Sequence, residues 1–162
     1  MANITQKITP FLWFNNNAQE AAAFYTSIFP NSSITSTSYY GDNAPLPKGS
    51  VMVVSFKLEG LNFTAMNGGP GHDFTDAISL VVHCRNQEEV DHFWSKLTEG
   101  GKEVACGWLK DKYGLSWQIT PDRLIELISD PDKEKANRVF QAMMKMIKID
   151  IPALEKAAEN KL

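Results

Sequence analysis

Cysteine, histidine and excess positive charge are all scarce in this chain of 162 residues. The two cysteines, Cys84 and Cys106, are too few for a disulfide framework. The three histidines, His72, His83 and His92, are spaced to fit no zinc template and read as solvated or singly hydrogen-bonded side chains. Lysine and arginine total 16 against 19 aspartates and glutamates, a formal net charge of −3. Without a basic field to hold a polyanion, nucleic acid is not an expected partner. No apolar run approaches the ~20 residues that cross a bilayer, so no membrane is expected either. The segment Met1–Pro10 has one lysine and no apolar stretch of signal-peptide kind, and the expectation is a soluble cytoplasmic protein. What is present is ordinary: 43% hydrophobic and 22% charged residues, enough for a globular core without staples.

An internal repeat organises the sequence. Laid so that Asn17 falls on Asn86, Glu20 meets Glu89, Phe24 meets Phe93, Tyr25 meets Trp94 and Ile28 meets Leu97. In each copy an extended run comes first, Ile8 to Phe14 and Ile78 to Cys84. Asn17 and Asn86 then suit helix N-caps, with Glu20 and Glu89 three residues on in a near capping box. Apolar residues recur at helical spacing, as Ala21, Phe24, Tyr25, Ile28 and as Val90, Phe93, Trp94, Leu97. Pro30-Asn31 and Gly100-Gly101 end the two helices. A shorter offset lays Gly60-Leu-Asn-Phe-Thr64 over Gly114-Leu-Ser-Trp-Gln118, each a turn glycine before a strand. Ser32 to Tyr39 and Ser50 to Leu58 alternate as strands around a loop from Gly41 to Gly49.

The first half therefore reads strand–helix–strand–strand–strand. Only Lys102 to Tyr113 separate Gly101 from Gly114, so the second half is abbreviated, with one strand shortened or lost. Beyond Thr120, residues Asp122 to Ser129, Asp132 to Ile147 and Ile151 to Leu162 read as helices. Met143, Met144, Met146 and Ile147 are expected to thicken an apolar face there.

This tandem pattern resembles the vicinal oxygen chelate, or glyoxalase/bleomycin-resistance, superfamily. Ile8-Thr-Pro-Phe-Leu-Trp-Phe14, Met66-Asn-Gly-Gly-Pro70, Glu89-Val-Asp91 and Cys106-Gly-Trp-Leu-Lys-Asp111 look like its PhnB-like branch, whose members carry the label 3-demethylubiquinone-9 3-methyltransferase. So do Ser129-Asp-Pro-Asp132 and Met146-Ile-Lys-Ile-Asp150, which extends the likeness over almost the whole chain. The resemblance implies an α+β fold with one PhnB-like domain over 1–162: module one at 5–70, a shortened module two at 77–120 and a helical C-terminal tail at 121–162. It also implies a homodimer, because members commonly pair modules between subunits.

Metal-dependent members hold a divalent ion with His and Glu on the opening and closing strands of each module. By resemblance those places fall near Pro10, Ser79, Thr64 and Gln118. Proline has no side-chain ligand, and hydroxyls and a neutral amide are poor ligands for zinc, nickel or iron. No metal and no cofactor are expected. Asn67-Gly-Gly-Pro-Gly71 follows a strand, but no helical pattern follows it, so it reads as a turn and not as a nucleotide loop.

The expected pocket is lined by Trp13, Trp108 and Trp117, with Thr64, Asn67 and Gln118 as its polar groups. The tryptophans would otherwise fill the core. Phe24, Tyr25, Phe93 and Trp94 read as helix-to-sheet packing. Cys106 reads as a half-buried small residue, or else as a nucleophile with Lys110 and Lys112 near in sequence. Asp111, ahead of Tyr113-Gly114, reads as shaping a hairpin. The leading functional expectation is a metal-free small-molecule-binding protein. An enzyme, either a methyltransferase as the family label says or an unrecognised metal-dependent lyase or oxygenase, is the alternative. An oligomerisation module is the third class.

Overall fold

The computed structural model describes residues 6–159, and the chain divides into two compact units, Met1–Asp73 and Phe74–Leu162. The first holds β1 (Phe11–Phe14), α1 (Ala18–Ile28), β2 (Ser33–Tyr39), β3 (Val51–Leu58) and β4 (Leu61–Asn67). The second holds β5 (Ser79–Cys84), α2 (Gln87–Leu97), β6 (Lys102–Glu103), β7 (Trp108–Lys110) and β8 (Ser116–Pro121), then α3 (Asp122–Ile128), α4 (Lys133–Met143) and α5 (Ile151–Glu159). Each unit thus runs strand–helix–strand–strand–strand, as the repeat predicts. The sheets have matching orders, β1-β4-β3-β2 and β5-β8-β7-β6, with the first pair of each parallel and the rest antiparallel. The first five and last three residues lie outside the described part, including the start of module one and the end of the helix expected through Leu162.

Alternation sorts each sheet into a helix-covered face and an open face. In the first unit Leu12, Phe14, Val54, Phe56, Leu58, Phe63 and Ala65 are buried, and α1 lays Ala18, Ala21, Ala22, Tyr25 and Ile28 against β3 and β4. The rings of Tyr25, Phe56 and Phe63 stack in series, with centroids 6.3 and 5.3 Å apart. Glu59-Gly60, both with positive φ, make the two-residue turn between β3 and β4. In the second unit Val82, Cys84, Leu109, Trp117 and Ile119 are buried, with Val90, Phe93, Trp94 and Leu97 of α2.

The two helix starts differ. Asn86 accepts the Glu89 backbone N–H at 2.9 Å, as a cap should. The Glu89 carboxylate reaches the Arg85 N–H at 2.8 Å and the Arg85 guanidinium, so the reciprocal half of the box lands one residue early. Asn17 makes no side-chain cap bond. The Ala18 N–H goes instead to Asn67 Oδ1 at 2.8 Å, a cap supplied by the far end of β4. Local spacing in the sequence carries no sign of that long-range partner.

The abbreviated second module keeps all four strands, but β6 has two residues and β7 three. Its hairpin is organised by Asp111, which is buried. Asp111 Oδ1 accepts the backbone N–H groups of Tyr113 at 2.9 Å and Leu115 at 3.1 Å, and Oδ2 accepts the Trp117 indole N–H at 2.8 Å.

The tail packs within the second unit around Leu124, Leu127, Val139, Ile149, Leu154 and Ala158. Arg138 donates to the Ala157 and Ala158 carbonyls at the end of α5. Gln87 at the start of α2 donates to the Ile149 carbonyl at 3.1 Å and accepts the Ile151 N–H at 2.8 Å. The helix expected through Ile147 stops at Met143. Met143 and Met146 are partly buried against the tail's core, whereas Met144 and Ile147 are exposed, so only half of the expected apolar thickening occurs.

Replacing Asp111 with Asn should lower unfolding stability by roughly 1–3 kcal/mol, because an amide cannot accept from both sides and sets a donor against a donor. Urea titration followed by circular dichroism reads this directly. A change below a few tenths of a kcal/mol would contradict the hub role.

Candidate functional site

The open faces are where side chains with binding chemistry collect. On the first sheet the register places Phe11 beside Thr64 and Trp13 beside Met66, with Ser55 across from Thr64 and Val53 across from Met66. Thr64 is half-buried on this face. Trp13 is spoken for: its indole N–H donates to the Gly69 carbonyl at 2.9 Å. The ring lies so close to Gly68 that a Cβ there would stand 2.1 Å from it. The His72 ring meets Trp13 edge-on at 4.6 Å. Gly68 and Gly69 also donate to the carbonyls of Phe14 and Asn15. The glycine segment therefore straps Trp13 down. Bends and coil follow it, not a helix, and both sheets are mixed, so the frame that binds S-adenosylmethionine on a doubly wound sheet is not built here.

Asn67 lies on the other face, buried and committed to capping. Besides accepting from Ala18, it donates to the Val51 carbonyl at 3.0 Å. It borders a hollow of about 260 Å³ that Asn16, Gln19, Leu46, Pro47 and Val51 also line. No motif or spacing signals this hollow, which depends on where the loop before β3 folds.

On the second sheet Trp108 is the register partner of Gln118, and Gln118 lies beside Val81. All three are on the open face, because Leu109 and Trp117, one residue away on their strands, are buried. Gln118 Nε2 donates to Ser79 Oγ at 2.9 Å. Trp117, only 2% exposed and bonded to Asp111, is a core residue and shares no face with Trp108. Of the six expected pocket residues, the second unit brings Trp108 and Gln118 together. Thr64 and Trp13 share the open face of the first unit, and Asn67 and Trp117 point to the helix sides.

The places expected by resemblance to hold a metal are adjacent in pairs. The Thr64 N–H donates to the Pro10 carbonyl at 3.0 Å, and Gln118 reaches Ser79. Those four side chains offer no imidazole, thiolate or carboxylate, so they do not fit a divalent ion. Among the described residues no three His, Cys, Asp or Glu side chains group as a metal would need.

The cysteines also separate. Cys84 is fully buried, and burial first, then the charges of Glu89 and Asp122, pushes its thiol up to about 12. Cys106 is half-buried with φ of 56°, its Sγ 3.8 Å from Met144 Sδ. It sits in a docking turn, where its N–H donates to the Met146 carbonyl and that of Gly107 to the Ile147 carbonyl. Of the histidines, His83 Nδ1 lies 3.5 Å from the Asp122 carboxylate and His92 sits edge-on to Phe93, both on exposed surface.

The family model described as 3-demethylubiquinone-9 3-methyltransferase matches residues 6–120. A solved structure described as a putative 3-demethylubiquinone-9 3-methyltransferase, PhnB protein, from Bacillus cereus is 41% identical, with a TM-score of 0.66 over 72% of this chain and 99% of that one. The chain belongs to this family. The family's fold is that of the glyoxalase/bleomycin-resistance, or vicinal oxygen chelate, superfamily. Fold likeness extends to protein PA1353 from Pseudomonas aeruginosa (20% identity, TM-score 0.60, 72% of this chain and 98% of that one). It extends also to the fosfomycin resistance protein FosX from Listeria monocytogenes in a form complexed with Mn(II) and sulfate (19% identity, TM-score 0.52, 70% of this chain and 89% of that one). No curated protein matches this chain. The family match ends at residue 120, so the α3–α5 tail is outside it, whereas the resemblance in the sequence extends into the tail.

The raised Cys84 pKa has a chemical consequence. The thiolate is the reactive species, and a thiol titrating near 12 stays protonated at pH 8. A disulfide reagent should therefore modify one thiol per native chain, at Cys106, and both after denaturation. Rapid modification of two thiols in the native protein would contradict this placement.

Proposed function

We propose that this family member is a metal-free small-molecule-binding protein whose ligand rests on the open face of the β5-β8-β7-β6 sheet. The observation that carries this reading is the cross-strand pair of Trp108 and Gln118 beside Ser79 and Val81. An indole gives a ligand an apolar surface, and an amide and a hydroxyl orient its polar end, the usual composition of a small-ligand site. The donor set at Pro10, Thr64, Ser79 and Gln118 supports a site that works without a divalent ion. The strap of Gly68–Gly71 over Trp13 and the mixed sheets weigh against the methyl transfer in the family's description. Two free thiols suit the reducing cytoplasm. Among the described residues no helix is long and apolar enough to cross a membrane.

Thermal melting tests the reading, since a ligand selective for the native state raises the melting temperature by mass action. Exhaustive chelation should leave the melting temperature and ligand binding unchanged, and S-adenosylmethionine should not raise it. Trp108→Ala should abolish stabilisation by any apolar ligand the wild type binds, whereas Gln118→Leu should weaken a polar ligand by roughly 1–3 kcal/mol. A loss of stability on chelation, restored by zinc, nickel or manganese, would overturn the metal-free reading.

We propose further that the protein is a homodimer. Among the described residues each sheet ends on strand edges with no further strand paired, and Phe11, Ile78 and Val81 expose large apolar side chains. Sedimentation at micromolar concentration should give twice the chain mass, and a monomer mass would refute it.

A further inference from the structure

The open face of the second sheet carries a row of polar side chains that crosses all four strands. Lys102 is the register partner of Lys110, Lys110 of Ser116, and Ser116 of Ser79, one residue from each of the four strands. Their strand neighbours fix the direction of the row. Glu103 turns to the helix side, where its carboxylate accepts the Trp94 indole N–H at 2.6 Å, and Leu109 and Trp117 are buried. Lys102 and Lys110 therefore stand opposite each other on an antiparallel pair, an arrangement that like charges disfavour. One carboxylate answers them. Asp76, on the exposed segment before β5, places Oδ1 2.5 Å from Lys110 Nζ and 3.4 Å from Ser116 Oγ. Its pKa is lowered, chiefly by the hydrogen bond from Lys110. A single carboxylate oxygen thus already sits where an ammonium and a nearly buried hydroxyl converge. The next row of the same face holds Trp108, Gln118 and Val81.

We propose that Lys102, Lys110, Ser116 and Ser79 form an anion subsite for a small molecule with an apolar body and one carboxylate or phosphoryl group. This rests on the reading of the same face as the ligand site. The anionic oxygens lie on Lys110 and Ser116, displacing Asp76, and Lys102 supplies a second positive charge. The body of the ligand lies along Trp108, with Gln118 beside it. Asp76 holds the site when no ligand is present, so it competes with the ligand and keeps the paired lysines from repelling.

Isothermal titration with 2-naphthoate, 2-naphthyl phosphate and the neutral 2-naphthalenemethanol tests the assignment. At least one anion should bind about tenfold more tightly than the alcohol, the scale of a hydrogen bond to a charged group. Which anion binds better distinguishes a carboxylate ligand from a phosphoryl one. Lys110→Met should remove the preference and Lys110→Arg should retain it. Asp76→Asn should strengthen anion binding about threefold by removing the competitor, and Lys102→Met should weaken it by a similar factor, as expected of an exposed charge. Should Lys110→Met fail to fold, Lys102→Met and Asp76→Asn carry the same readout. If the alcohol binds as tightly as both anions and its binding depends on Trp108, the anion subsite is wrong and the ligand face stands. If none of the three binds in a Trp108-dependent way, both fall.

Discussion

A buried carboxylate with three N–H donors around it is costly to desolvate and strongly directional once satisfied, and Asp111 is such a group. Its oxygens fix the turn at Tyr113 and Leu115 and hold the Trp117 indole on the helix side of the sheet. Because side chains alternate along a strand, fixing Trp117 on one side fixes Ser116 and Gln118 on the other. The register of β7 against β8 then brings Trp108 to Gln118 and Lys110 to Ser116. The candidate ligand face thus depends on a residue that cannot touch a ligand there. A slip of one residue in this hairpin would exchange the core for the face.

The first unit solves the same problem with different residues. Asn67, at the end of β4, caps α1 and ties to Val51 at the start of β3, so one amide links the helix start to two strands. The following glycines strap Trp13, and the close approach of Gly68 to the indole explains why a residue without Cβ stands there. Two repeats of common order therefore differ in chemistry. In the first an aromatic on the open side is sequestered by a loop, and in the second an aromatic on the open side is left beside polar and charged neighbours.

The tail is part of the second unit. It docks through backbone bonds to Cys106 and Gly107 and through Gln87, giving the shortened β6–β7 region cover that its own strands are too short to provide. Cys106 is accounted for by this docking turn and by its contact with Met144.

The bare sequence suffices for the repeat, the order of elements in each half, the abbreviation of the second, the helical tail and the family, because these follow from local periodicity, turn glycines and short motifs. It also marked Asp111 as a turn residue and Asn86 as a cap, whose partners lie within a few positions. Tertiary structure decided the rest. Asn17 resembles a cap as well as Asn86 does, but the bond comes from Asn67, far along the chain. Three tryptophans looked equivalent, and only the strand register separates one in the core, one under a loop and one on an open face. Lys102 and Lys110 carry no signal as a pair, since the turns between them set which residues become cross-strand neighbours. Periodicity tells which side chains of one strand share a face, whereas which strands meet, and at what register, is settled only by the packing of the whole unit.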